Sequence, residues 1–242
     1  MRESRLVRPL PAFFPRLLCL LLGLAALPCL AEGKPTVAVL YFGYTGDTAE
    51  LRVLKKGLAQ MLISDLSASG TVQLVERDRL QEVLHELTLG QSEKFDQDTV
   101  AKLGSLTGAQ YLVMGSYFDL MNTLVVDAKV VEVSTGNILR SHGARGGTED
   151  FLGLEQKLAT ELNQGFEKMG AVKPSVPSLP AGPPPPTRQA RRLTTQTALR
   201  YSRALDAKDR KDVETAKKEL TLVLKEQPDF VLASMDLARL MK

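Results

Sequence analysis

The stretch AQYLVMGSYFDLMNTLVVDAKVVEVSTGNI, from Ala109 to Ile138, decides the fold of this chain of 242 residues. Its β-branched and aromatic residues form two runs, with turn-forming residues at Met121–Thr123 and again at Ser134–Asn137. This pattern predicts two consecutive strands joined by a tight turn, followed by a short third strand over Ile138–Ser141.

Strand and helix patterns alternate on both sides of this stretch, which predicts an α/β domain over residues 36–168 with a mixed sheet and packed helices. Apolar residues at helical spacing mark the helices, and continuous apolar runs mark the buried strands. The predicted elements are a strand over Thr36–Phe42, a helix over Ala49–Ala68, a strand over Val72–Val75, a helix over Leu80–Leu87, a helix capped by Asp96, and a helix over Asp150–Lys168.

The N-terminus has the features of a secretory signal peptide, predicted over residues 1–31. A basic start precedes the apolar run LLCLLLGLAAL, and small residues follow before Glu32. The run is short for a transmembrane helix, although a retained anchor is the alternative. Both cysteines lie in this segment, so cleavage after Ala31 would remove them. Cys29 is also a candidate lipidated N-terminus, but Pro28 stands where that signal prefers a small residue.

The C-terminal part divides into a proline-rich linker, residues 169–193, and a small all-α segment, residues 194–242. The linker contains PSVPSLPAGPPPP, and the segment shows three short amphipathic helices. Ala216, Leu220, Val223 and Pro228 match the second half of a tetratricopeptide repeat, whereas the first half matches poorly. Because one repeat cannot bury its own apolar face, this tail must pack on its third helix, on the body or on a partner. The predicted partner-binding residues of the tail are Tyr201, Leu205, Leu220 and Phe230.

Charge is unevenly distributed along the chain. Residues 32–168 carry 13 basic and 19 acidic residues, whereas residues 187–242 carry 13 basic and 8 acidic residues. Solvated faces are the simplest interpretation, and docking of the basic tail on the acidic body or on an anionic partner is the alternative.

No pattern for catalysis, a cofactor, a metal or nucleic acid emerges. The two histidines, His85 on a helix and His142 near a loop, are far apart in sequence and are predicted at the surface. The loop Gly43–Asp47 lacks the ending of a phosphate-binding loop, and Arg191–Arg192 is too short a basic segment for nucleic-acid binding. We therefore predict a protein that is not an enzyme and holds no cofactor.

Several segments together resemble the CsgG/HfaB family of bacterial envelope proteins. They are VAVLYF at 37–42, LKKGLAQMLISDLSASG at 54–70, VQLVERDRLQEVLHEL at 72–87, GAQYLVMGSYF at 108–118 and VDAKVVEVSTGNIL at 126–139. The resemblance implies a compact periplasmic α/β domain. It also implies added membrane hairpins in the channel-forming branch, the curli secretion channel subunit. The connections at 119–125 and 139–149 are too short for such hairpins, each of which needs about twenty residues.

The resemblance implies a non-enzymatic, outer-membrane-associated periplasmic accessory protein of envelope assembly or secretion. Its partners would be other envelope proteins, and peripheral outer-membrane association and a homo-oligomer are left open. Two alternatives are a subunit of a curli-type secretion channel and a lipoprotein activator of cell-wall synthesis. The state of Cys29 in the mature chain separates the lipoprotein from the unmodified form.

Overall fold

The computed structural model describes residues 34–87, 96–169 and 193–242. The predicted signal peptide, Cys29 and all of the linker except its two end residues lie outside the described residues. The strands are β1 (Thr36–Val39), β2 (Gly43–Tyr44), β3 (Gln73–Leu74), β4 (Tyr111–Leu120), β5 (Thr123–Glu132) and β6 (Ile138–Gly147). The helices are α1 (Leu54–Ser69), α2 (Arg77–Glu86), α3 (Gln97–Thr107), α4 (Phe151–Lys168), α5 (Thr195–Asp209), α6 (Val213–Glu226) and α7 (Val231–Leu240), with a 3₁₀ turn at Ala49–Val53 before α1.

The described strands form one mixed sheet in the order β3-β1-β4-β5-β6, and β2 pairs separately with β4. The short strands β1, β2 and β3 run parallel to their neighbours, whereas β4, β5 and β6 are antiparallel. The fold class is therefore mixed α/β, as the sequence predicted, with an additional helical segment at the C-terminus.

Helices cover both faces of the sheet around β1, whereas on β5 the face with Asp127 and Lys129 is exposed. Val37 and Val39 of β1 face a core that includes residues of α1 and α4, whereas Ala38 and Leu40 face a core with residues of α2 and α3. Burial on both sides explains why β1 is a continuous apolar run rather than an alternating one. The strand ends at Val39, three residues earlier than predicted, and the first five residues of the predicted helix form the 3₁₀ turn.

The turn between β4 and β5 is as tight as the sequence predicted. Leu120 pairs directly with Thr123, and Met121 and Asn122 both have positive φ angles, 47° and 63°. Two central residues with positive φ define the hairpin turn whose twist matches that of the flanking strands. Within this hairpin Gly115 is required, because a Cβ at that position would overlap the carbonyl oxygen of Asp127.

The prediction for β6 was too short. The strand runs over Ile138–Gly147 rather than ending near Ser141, and it pairs with β5 along this length. Its sequence, ILRSHGARGG, carries only one fully buried apolar side chain, Ala144. Since pairing with β5 supplies the backbone hydrogen bonds, the strand forms without the β-branched residues by which strands are recognised in sequence.

The three tail helices were predicted correctly, and they lie in one compact unit with the body. Helix α5 packs on α1, α6 packs on α5, and α7 packs on α6. A small separate core joins them, and Ala198 and Leu199 of α5 belong to the larger core of the body. The first two tail helices thus pack with the third, and the tail also packs on the body. The likeness of the tail to a tetratricopeptide repeat remains a prediction.

Candidate partner-binding surface

The docking of the tail depends on a close approach of α1 and α5. A Cβ on Gly57 would clash with the hydroxyl of Ser202 and would lie 3.4 Å from the Cβ of Ser202. Ser202 is fully buried, and its hydroxyl donates a hydrogen bond to the carbonyl of Ala198. Glycine at position 57 therefore sets the distance between the two helices.

Two body cations meet two tail carboxylates beside this contact. Lys56 Nζ lies 2.8 Å from Asp206 Oδ1 and 2.7 Å from Asp209 Oδ2. Arg77 donates to both carboxylate oxygens of Asp209, each at 2.9 Å. The side chains of Arg77 and Asp209 are 1% and 9% exposed, so this bidentate pair is buried and well shielded from solvent. We call the ion pairs of Lys56 and Arg77 with Asp206 and Asp209 the junction.

A second set of contacts extends the junction to α7. Lys208 Nζ lies 3.0 Å from Asp78 on α2 and 3.3 Å from Asp236 on α7. Tyr201 donates to Asp236 at 2.9 Å, and burial, reinforced by this carboxylate, raises the pKa of Tyr201 well above its ordinary value. Burial opposes ionisation of Asp78, but hydrogen bonding with Lys208 and the charge of Arg77 outweigh it and lower its pKa.

Tyr41, two residues after the end of β1, also belongs to the junction. Its hydroxyl donates to Gln81 at 2.7 Å and accepts from Arg77 at 3.1 Å. Burial raises the pKa of Tyr41 to about 12, although the Arg77 charge acts in the other direction. Burial would lower the pKa of Arg77, but the Asp209 carboxylate more than compensates and raises it. Because these opposite charges pair with one another, the junction suits docking of the tail better than catalysis.

The predicted partner-binding residues of the tail occupy its inside. Tyr201, Leu205 and Leu220 are at most 1% exposed and belong to the tail core. Phe230 is half-buried and packs edge-on against Tyr201, with ring centroids 5.0 Å apart. A partner would reach the first three side chains only if the tail helices separated, so their assignment to partner binding stays a prediction.

The outer side of α7 presents apolar side chains that sequence reasoning did not single out. Val231 is 62% exposed and Met235 is 49% exposed, one helical turn apart. Met241, beyond the end of α7, is 73% exposed. The spacing of Val231 and Met235 was visible in the sequence, but which side of α7 faces the tail core depends on α6 and the body.

The histidines lie on different elements. His85 is exposed on α2, as predicted. His142 is not near a loop but within β6, opposite Ala128, and it is half-buried. Among residues 34–87, 96–169 and 193–242, no cluster of three metal-ligating side chains occurs. In those same ranges, no helix combines the length and the apolarity needed to cross a bilayer.

Comparison with protein families gives a match over residues 21–121 to the family described as curli production assembly/transport component CsgG. The resemblance to the CsgG family is thus confirmed for this segment, which begins inside the predicted signal peptide and ends at the β4–β5 turn. No curated protein sequence matches the chain significantly.

Three solved structures illustrate the structural similarities. The LpoB C-terminal domain from Salmonella enterica is 18% identical, with a TM-score of 0.40 over 47% of this chain and 83% of that one. Lipoprotein GNA1162 from Neisseria meningitidis is 13% identical, with a TM-score of 0.38 over 55% of this chain and 99% of that one. The PelC dodecamer from Paraburkholderia phytofirmans is 16% identical, with a TM-score of 0.32 over 57% of this chain and 92% of that one.

Proposed function

We propose that this protein is a non-enzymatic accessory factor of the bacterial envelope that acts in assembly or secretion by binding other envelope proteins. The observation that carries this proposal is the match of residues 21–121 to the CsgG family, whose description names assembly and transport. The secretory N-terminus expected from the sequence agrees with it. The chain would act in the periplasm, associated with the outer membrane.

The tail contributes an interaction surface in this proposal. The junction fixes α5 on the body, and this arrangement leaves Val231 and Met235 of α7 exposed on a helix whose other side is buried. An amphipathic helix of a partner is the matching occupant, because apolar side chains one turn apart pack into the grooves of a second helix. Tyr201, Leu205, Leu220 and Phe230 would support this surface by holding the tail helices together.

Affinity capture from a solubilised envelope fraction tests the tail surface. The bait proteins are the wild type, the double variant Val231→Glu/Met235→Glu, and the control Val213→Glu. Val213 is 38% exposed at the start of α6, so its variant makes the same type of change elsewhere on the tail. We expect the wild type and the control to capture one shared set of proteins that the double variant loses. An identical set from all three baits would remove α7 from the proposal.

The proposed location has its own test. Mass spectrometry of the mature chain from a periplasmic fraction should show a new N-terminus, either unmodified Glu32 or lipidated Cys29. The second result would favour the lipoprotein form of the proposal. A chain that retains Met1 and stays in the cytoplasm would contradict the envelope role.

A further inference from the structure

The outer edge of β6 offers a row of backbone groups for pairing with another strand. β6 lies at one end of the sheet order and, among the described strands, it pairs with β5 alone. It spans ten residues, with a β-bulge at Leu139, so its regular edge runs over residues 140–147. An edge of this kind can take up an extended peptide through main-chain hydrogen bonds.

A cavity opens between this edge and α4. Its volume is about 160 Å³. Arg140 and His142 point toward α4 from the same face of β6 as the buried Ala144, since strand side chains alternate between faces. The cavity is lined by Arg140, His142, Glu161, Gln164, Gly165 and Lys168.

The absence of a side chain at position 165 shapes this cavity. A Cβ on Gly165 would lie 2.7 Å from Nε2 of His142, so glycine lets the imidazole rest against α4. That Nε2 atom is buried and has no hydrogen-bond partner among the described residues. Burial lowers the pKa of His142, with Arg140 and Lys168 adding to this effect and Glu161 opposing it. The imidazole is thus a neutral group with an unused polar atom near the cavity.

The charges around the cavity are unbalanced in favour of cations. Arg140 and Lys168 line it, and neither forms an ion pair with another described residue. Glu161 is the single acid among the lining residues. A guanidinium and an ammonium group held near one cavity favour a carboxylate ligand.

We propose that the groove between β6 and α4 binds an extended acidic segment of another protein by strand addition. The peptide backbone pairs with the outer edge of β6, and a glutamate or aspartate side chain enters the cavity between Arg140 and Lys168. Main-chain pairing supplies affinity for extended segments in general, and the cavity selects those with a carboxylate at the matching position.

Charge distinguishes this partner from a second copy of the chain. Both faces of β6 carry an exposed arginine, Arg140 on the α4 side and Arg145 on the other. Pairing two copies along this edge would double its positive charge, and like charges that face each other across a strand pair are destabilising. An acidic side chain on the α4 side of a partner strand neutralises Arg140 instead. The site lies on the body and does not depend on the surface proposed for α7.

Fluorescence anisotropy with a short labelled peptide of alternating glutamate and valine tests the cavity. We expect Arg140→Gln/Lys168→Gln to weaken binding by about tenfold or more, because two charge-assisted contacts are lost. Arg145→Gln removes the same charge from the other face of β6 and should leave the affinity within about twofold of the wild type. A peptide with glutamine in place of glutamate should bind the wild type as weakly as the acidic peptide binds the double variant. Equal losses in the double variant and in Arg145→Gln would overturn the cavity assignment.

Backbone methylation of the same peptide tests strand addition. Two versions are methylated on alternate amide nitrogens, one at odd and one at even positions. A strand directs alternate amides toward its neighbour, so one version should lose binding and the other should keep it. Equal effects of both versions would overturn strand addition.

Two further measurements separate this site from other ligands and from α7. Val231→Glu/Met235→Glu should bind the acidic peptide like the wild type, and a loss in that variant would overturn the placement on the body. Anionic phospholipid vesicles and inorganic phosphate should bind no more tightly to the wild type than to Arg140→Gln/Lys168→Gln. If binding of the vesicles or of phosphate depends on Arg140 and Lys168 while the peptide does not bind, the proposal of a peptide site is overturned.

Discussion

Helix α1 packs against both α4 and α5, and the charged side chains at these two interfaces pair in different ways. Toward α5 it presents Lys56, which pairs with Asp206 and Asp209 at 2.8 and 2.7 Å. Toward α4 it presents Asp65, whose neighbour Glu155 is a second carboxylate. The interface of body and tail therefore joins opposite charges, whereas the interface within the body joins like charges.

Protonation removes the cost of burying two like charges between α1 and α4. Glu155 is fully buried, and its carboxyl group hydrogen-bonds with that of Asp65. Burial, reinforced by the charge of Asp65, raises the pKa of Glu155 well above its ordinary value. Burial also raises the pKa of Asp65. A neutral carboxyl costs far less to bury than an isolated anion, so this interface favours the protonated form.

The tail is held on the body by specific charge pairing as well as by apolar contact. Removing Asp209 leaves Arg77 charged and buried, whereas removing Asp65 or Glu155 takes away a charge of the same sign as its neighbour. The two interfaces should consequently differ in their response to mutation and to pH.

The largest expected effect follows from removing the shared carboxylate of the junction. Asp209→Ala leaves both Arg77 and Lys56 without that partner, and we expect the free energy of unfolding to fall by about 3–5 kcal/mol. Urea denaturation followed by circular dichroism measures it. Asp47→Ala, at an exposed loop position, is the matched control and should change stability by less than about 0.5 kcal/mol. Equal effects of the two variants would show that the junction does not stabilise the fold.

A smaller effect is expected from changing the distance between α1 and α5. Gly57→Ala places a methyl group against the Ser202 hydroxyl, and we expect a loss of about 1–3 kcal/mol. Combining it with Ser202→Ala removes the clashing oxygen, so the double variant should be more stable than Gly57→Ala alone. Thermal unfolding of the two single variants and the double variant supplies the coupling energy. Strict additivity would contradict the close contact.

The pH dependence of stability should distinguish the two interfaces. The pKa of Glu155 is raised in the folded state. Its contribution to the free energy of unfolding is therefore present below the pKa of the unfolded chain, and it is lost as pH rises through the raised pKa of the folded state. For Asp78 at the junction the pKa is lowered, so its contribution is present above the unfolded value and lost as pH falls.

Glu155→Gln should therefore flatten the decline of stability on the alkaline side and leave the acid side unchanged. Asp78→Asn should flatten the acid side instead. Urea midpoints between about pH 2 and pH 8 give both slopes. A Glu155→Gln variant with the wild-type slope on the alkaline side would show that Glu155 does not titrate as the interface requires.

The smallest effect on stability belongs to the outer side of the tail. Val231→Glu/Met235→Glu alters exposed positions, so we expect the free energy of unfolding to change by no more than about 0.5 kcal/mol. Differential scanning calorimetry measures this change. A large loss would mean that α7 is held by these side chains, and its exposed side would then be structural.

The sequence predicted those parts whose own residues decide the structure. The β4–β5 hairpin follows from its apolar runs and from Met121–Asn122, and the three tail helices follow from their apolar spacing. The full length of β6 could not be predicted, because ILRSHGARGG gains its strand structure from β5 and its cover from α4.

The candidate sites depended still more on tertiary structure. Net charge suggested a basic tail on an acidic body, yet Lys56 and Arg77 of the body hold carboxylates of the tail. Net charge does not reveal which individual side chains face an interface. At Lys56 the body supplies the cation and the tail supplies the carboxylates, the reverse of what net charge suggested. The cavity at β6 combines two elements that are separated in sequence, so Arg140 and Lys168 could not be associated before folding.

The central claim, that the tail docks on the body through α1 and α5, is tested most directly by a cysteine pair. The Cβ positions of residues 57 and 202 lie 3.4 Å apart, close to the separation of about 3.5–4.5 Å in disulfides. In a chain with Cys19 and Cys29 replaced by serine, Gly57→Cys/Ser202→Cys should form an intramolecular disulfide nearly completely under mild oxidation. The control pair Gly57→Cys/Met241→Cys should stay reduced. Free thiols in Gly57→Cys/Ser202→Cys, in protein that remains folded, would contradict the docked arrangement.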